Sequence, residues 1–91
     1  MTTICREMVI RNKLGLHARA ATKLVRLANQ FDAVISIRSG TQEVDASSVM
    51  CLMLLASQQG KTITVQAVGK DAEAALDAIE NLIQNRFDES E

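Results

Sequence analysis

His17 is the only imidazole among 91 residues, and it stands where a strand and loop give way to the first turn of a helix. Histidine is a residue type whose neutral ring offers a nitrogen lone pair, which makes it usable as a nucleophile. A lone histidine is more often a plain surface or structural residue, so its surroundings must decide. Backbone N–H groups at a helix start have no intrahelical partners, and the aligned peptide dipoles add partial positive charge. An anion formed on the ring would therefore be stabilised. The same field disfavours an imidazolium and is expected to keep the ring neutral. Arg19, two residues on, carries a planar fork of donors suited to phosphate oxygens. Gly15, two residues before, leaves the approach open and allows backbone angles that a side chain forbids. Phosphoryl transfer through a loose transition state asks for little beyond in-line access and charge stabilisation.

Two further features flank this centre. Arg19, Lys23 and Arg26 lie at i, i+4 and i+7, so they share one side of the helix and form a local basic strip. Read functionally, the strip guides acidic partners and acts mostly on association rate; read plainly, it is a solvated face. Val49-Met50-Cys51-Leu52-Met53-Leu54-Leu55 is an unbroken apolar run, more than one buried helix face can hide. If Leu52, Leu55 and Ala56 point inward, Val49, Met50 and Met53 make an outward patch fit for docking. A deeply buried helix accounts for the pattern equally well.

The elements that hold these residues follow from periodicity. Residues 4–10 read as a strand in which Arg6 breaks the apolar parity of Ile4, Met8 and Ile10. A helix from near His17 to Gln30 carries the stripe Ala21, Leu24, Val25 and Ala28. Residues 33–38 alternate, and Ser39-Gly40 turns them into a short polar strand over 41–45, a hairpin with an edge. Ser47 and Ser48 are N-cap candidates for a helix running through Ser57. Residues 62–68 alternate cleanly, with Ile63, Val65 and Ala67 on one face. Asp71 is predicted to cap a last helix that buries Ala72, Ala75, Leu76, Ile79, Leu82 and Ile83 and turns Glu73, Asp77 and Glu80 outward. The acidic end Asp88-Glu89-Ser90-Glu91 is expected to fray. The order β-α-β-β-α-β-α predicts an α+β sandwich, with helices on one face of a mainly antiparallel sheet. Residues 1–91 are expected to form a single domain, since so short a chain cannot divide its apolar residues between two cores.

Composition narrows the function. A formal charge of −1 gives no general attraction to nucleic acid or anionic membrane. No apolar run approaches a membrane span, and residues 1–7 lack the basic-then-apolar order of a signal peptide. A cytoplasmic monomer is expected. Cys5 and Cys51 sit in unlike contexts without metal-ligand spacing, so reduced thiols and no metal are expected.

Gly15-Leu16-His17-Ala18-Arg19-Ala20-Ala21 resembles the active-centre signature of HPr phosphocarriers, GLHxRPA. The element order, the length, Ser48-Val49-Met50 and the Gly69 turn resemble the family too, so the likeness spans nearly the whole chain. It implies an open-faced sandwich of four strands and three helices. It implies that His17 takes a phosphoryl group at Nδ1 from an enzyme I type phosphotransferase charged by phosphoenolpyruvate, then passes it to an enzyme IIA type acceptor. Arg19 would stabilise the phosphate, helped by the backbone N–H groups of Ala18 and Arg19. The chain would be a carrier that enzymes act on, with no cofactor. The docking surface would include the helix that carries Val49, Met50 and Met53. Ser48 matches a position regulated by serine phosphorylation in some members, which adds a serine kinase to the implied partners, although capping explains Ser48 without regulation. One departure is Ala20, where the family has Pro, leaving the helix start less rigid. The wording of residues 14–21 and of 85–89 leans toward the nitrogen-related branch of the phosphotransferase system rather than the sugar branch.

Two other classes make different predictions. An RNA-binding module of ferredoxin-like topology would stack bases on strand aromatics, but Phe31 and Phe87 are the only aromatics and neither falls in a predicted strand. A ligand-sensing domain would be indifferent to loss of His17.

Overall fold

The strand with the cleanest alternation lies inside the sheet. In the computed structural model, which describes residues 2–55 and 58–89, β4 (Thr62–Val68) pairs antiparallel with β1 (Thr3–Val9) on one side and with β2 (Val34–Ser39) on the other. The short β3 (Gln42–Asp45) closes the order β1-β4-β2-β3. Ile63, Val65 and Ala67 are fully buried, and register places Ile4 and Ile35 opposite Ala67 and Ile37 opposite Val65. Period-two side chains thus give one apolar face and leave the other to water. The predicted edge is β3, short and mostly exposed.

Three helices cover the apolar face: α1 (Ala18–Ala28), α2 (Val49–Leu54) and α3 (Ala72–Gln84). Ala20, Ala21, Leu24 and Ala28 of α1 and Ala72, Ala75, Leu76, Ile79 and Ile83 of α3 enter one core with the sheet. Leu82 is only half-buried against that core. The sequence predicts a second helix through Ser57; α2 stops at Leu54, and Ala56 and Ser57 lie outside the described residues.

Arg6, the residue that breaks the parity of β1, points to the helix side. Its guanidinium donates to Asp77 Oδ1 at 2.9 Å and to Glu80 Oε1 at 3.0 Å. Both carboxylates belong to α3, so they lean over the sheet edge instead of standing free in water. A charge on the inner face is tolerated because it reaches partners at the rim while its stem packs below.

Asp71 precedes α3 but makes no side-chain cap to it. Its Oδ2 accepts instead from the Asp32 N–H at 2.8 Å, tying the end of β4 to the loop before β2. Gly69 lies in the same junction with φ 145°, and an added Cβ would meet Asp32 O at 2.8 Å and Ala33 Cα at 2.9 Å. Gly69→Ala is therefore expected to lower stability by about 3 kcal/mol, from forbidden backbone angles and overpacking together. Denaturant unfolding checks this, and a loss within about 0.5 kcal/mol, the range of neutral surface changes, would disprove it.

Candidate functional site

The chain turns from β1 into α1 through a loop built around Gly15. Gly15 is buried with φ 67°, a left-handed angle that glycine adopts without strain. Its N–H donates to Asn12 O at 3.2 Å, and its carbonyl accepts from Asn12 Nδ2 at 2.8 Å. The loop so closed delivers His17 to the N-cap of α1, where the residue is extended and its carbonyl accepts the Ala21 N–H at 2.8 Å. The amides of Ala18 and Arg19 precede that ladder. The Arg19 N–H points back at the ring and donates to His17 Nδ1 at 3.3 Å.

That contact favours one tautomer without fixing it alone, because a ring nitrogen accepting an N–H carries a lone pair and leaves the proton on the other nitrogen. The other nitrogen, Nε2, contacts Glu89 Oε2 as a hydrogen-bonded partner. The ring lies between the positive end of a helix and a carboxylate, with 28% of its side chain exposed. It is neither buried in the core nor remote from amide donors.

Glu89 belongs to the tail expected to fray, and the structure corrects that expectation. After α3, Arg86, Phe87 and Asp88 take φ of 56°, 54° and 65°, three consecutive left-handed residues without a glycine. Phe87 is fully buried in the core. Lys23 Nζ donates to Phe87 O at 2.7 Å and lies 3.4 Å from Asp88 Oδ2. The tail thus folds back as a strap over α1 and ends with Glu89 on the histidine. Asn12, fully buried, donates through Nδ2 to Glu89 Oε1 at 3.1 Å. Since Nδ2 faces two acceptors, the amide has only one sensible orientation. Its Oδ1 is buried and finds no hydrogen-bond partner among the described residues. Ser90 and Glu91, also expected to fray, lie outside the described residues.

Burial pushes the Glu89 carboxyl up, but hydrogen bonds from His17 and Asn12 and the charge of Arg19 outweigh it and hold it below its ordinary range. A carboxyl lowered by folding contributes stability that is fully present above its unfolded value, 4.5, and is lost as pH falls through the lower folded value. The stability difference between wild type and Glu89→Gln is therefore expected to shrink from about pH 5 downward. A difference constant across that acid range, read by denaturant unfolding, would contradict the linkage.

Arg19 is exposed and lines a surface cavity of about 860 Å³ with Leu14, His17, Ala18, Lys23 and Glu89. A larger hollow of about 960 Å³ around Arg11, Gln59 and Arg86 does not include the histidine. The basic strip is divided: Arg26 is exposed, whereas Lys23 is half-buried and engaged by the strap. Ala20 is fully buried in the first turn of α1. Ser48 caps α2, its Oγ accepting the Cys51 N–H at 3.2 Å. The α2 patch needs a correction. Leu52 and Leu55 are buried and Met50 and Met53 exposed as expected, but Val49 packs against the core and Leu54 takes the outward place at 72% exposure. Ala56, expected to point inward, is not among the described residues.

Sequence reasoning missed Asn12 and Glu89 as site residues, and Phe87 as core. Nothing in periodicity marks them, because all three act from loops or the tail. The resemblance of residues 85–89 to a family ending was the one available signal.

Among the described residues no helix is long and apolar enough to cross a membrane. Residues 4–85 match the family model described as "PTS HPr component phosphorylation site". The chain is 53% identical over 90 residues to the phosphocarrier protein NPr of Shewanella violacea, with 99% of each chain covered. It is 45% identical to the phosphocarrier protein HPr of Cupriavidus necator, covering 94% of this chain and 97% of the relative. A crystal structure of HPr-C-His from Thermoanaerobacter tengcongensis superposes with a TM-score of 0.90 at 35% identity, covering all of both chains.

Proposed function

The chain belongs to the HPr family of phosphocarriers of the phosphotransferase system, and from that premise we propose that His17 accepts a phosphoryl group at Nδ1 and hands it to a second protein. The observation that carries this reading is the opposite engagement of the two ring nitrogens. Nε2 is taken by Glu89, while the lone pair of Nδ1 faces the Arg19 amide at the positive end of α1. A phosphoryl group on Nδ1 therefore lies beside amides that suit its oxygens.

The donor is an enzyme I type phosphotransferase charged by phosphoenolpyruvate, and the acceptor is an enzyme IIA type protein. In loading, the Nδ1 lone pair forms the N–P bond while the donor's bond to phosphorus breaks and keeps its electron pair. Arg19, exposed on the same first turn, swings its guanidinium to the equatorial oxygens, and the amides of Ala18 and Arg19 meet the remaining charge. No second acid or base is needed in the chain, which is the substrate of its partners' chemistry. Met50 and Met53, joined by Leu54, give a pliable apolar docking area, and Arg26 guides acidic surfaces. The likeness to the Shewanella violacea NPr favours the nitrogen-related branch.

Incubation with enzyme I and labelled phosphoenolpyruvate tests the reading. An acid-labile, alkali-stable label on the chain is expected, and its absence would overturn the proposal. Offering the labelled chain to nitrogen-branch and sugar-specific IIA proteins separates the branches, faster discharge to the former being expected.

A further inference from the structure

The strap is too elaborate a device merely to cover a tail. Three residues sit in the left-handed region, where each non-glycine residue is disfavoured. They are held there by a buried phenylalanine and a lysine clamp. What this conformation delivers is one carboxylate, gripped by a buried asparagine, onto the ring nitrogen that does not face the helix. We infer that Glu89 is a positioning residue for phosphoryl transfer: it holds the proton on Nε2, so that Nδ1 keeps its lone pair and the ring bears positive charge while the group arrives and departs. This rests on the phosphocarrier reading of His17.

The electron count shows why that proton matters. When the Nδ1 lone pair binds phosphorus, a ring still protonated at Nε2 becomes cationic, and a carboxylate on that N–H stabilises the charge as it develops. When the group leaves, the P–Nδ1 bond breaks, its pair returns to Nδ1, and a neutral imidazole remains. Without the Nε2 proton the departing ring would be an imidazolate, a far poorer leaving group. Glu89 therefore keeps the loaded carrier ready to discharge. Asn12 acts one step behind, since its Nδ2 fixes Oε1 and aims Oε2 at the ring.

The test compares wild type with Glu89→Gln, which keeps an acceptor oxygen but loses the charge, and Glu89→Ala, which loses both. Ring 15N shifts of the unloaded proteins report the tautomer. Loading with phosphoramidate, a small donor that needs no partner protein, followed by 31P NMR reports how fast Nδ1 loses its phosphoryl group. Wild type is expected to show one tautomer, protonated at Nε2. Glu89→Gln should retain it and Glu89→Ala should mix the two. Both variants should discharge about tenfold more slowly, the size of one charge-assisted hydrogen bond. An unmixed tautomer in Glu89→Ala, or wild-type discharge in both variants, overturns the inference. If wild type fails to load at His17, the phosphocarrier reading falls, while the unloaded tautomers still decide whether Glu89 positions the ring.

Discussion

Replacing His17 by asparagine is expected to abolish labelling from phosphoenolpyruvate and enzyme I while leaving the domain folded. The choice of asparagine follows from the two roles the ring plays. As N-cap of α1, His17 accepts the Arg19 N–H through Nδ1, and an alanine there forfeits about 1 kcal/mol of helix stability. Asparagine is among the best N-caps and offers a carbonyl oxygen to the same amide. It has no nitrogen able to bear a phosphoryl group. The variant therefore isolates chemistry from folding: a far-ultraviolet spectrum and unfolding midpoint close to wild type, together with labelling down at least about a thousandfold, on the scale of losing a covalent nucleophile. Residual label on the asparagine variant would assign the acceptor elsewhere. His17 is the only imidazole in the chain, so no second ring can stand in.

Phe87→Ala is expected to be the most destabilising single change, by about 3–5 kcal/mol. A domain of this size has roughly 5–15 kcal/mol in all, so much of its margin goes. Phe87 is fully buried and is one of only two aromatics. Its loss leaves a cavity in the core. The effect spreads to the site, because the buried ring is the apolar anchor of the turn that keeps Arg86, Phe87 and Asp88 in left-handed angles, with Lys23 and the turn's own backbone hydrogen bonds beside it. Once the ring is gone, the turn relaxes toward ordinary angles, the Lys23 contact opens, and Glu89 leaves His17. Denaturant unfolding should show the stability loss, and ring 15N shifts of His17 should change together with it. Phe87→Leu, which refills most of the volume, should recover more than half of both. A loss below about 1 kcal/mol would mean that the ring is no true part of the core.

The site and the fold were legible to different degrees. The alternation of residues 62–68 predicts β4 without error because both faces of an inner strand are constrained, one by the core and one by water. The first turn of α1 was equally legible, since a glycine, a histidine and an arginine at close spacing have few shared explanations. Arg6 stands out in the sequence as a break in parity, but its purpose is not legible there, because its partners Asp77 and Glu80 come from more than seventy residues away. Asp71 has the right type and place for a cap, yet a competing amide at Asp32 wins its oxygen. The apolar run of α2 shows that some residues must face out; which ones depends on helix phase, and Val49, expected outward, packs against the core while Leu54, for which the pattern assigns no side, faces out. The tail was least legible, since acidic residues at a terminus read as solvated until long-range partners appear. Asn12, Lys23 and His17 are those partners.

His17 closes the first turn of its helix with the same lone pair that the phosphocarrier reading assigns to phosphorus. Cargo and keystone then compete for one atom, and loading must pass the Arg19 amide from nitrogen to a phosphoryl oxygen. A dianion at that spot suits the helix better than a neutral ring does. The backbone itself becomes the gauge of whether the carrier is full, readable by any partner that touches residues 18 and 19. Of all amide signals, that of Arg19 is expected to move furthest on loading, and an unmoved signal would show that the turn does not register the load.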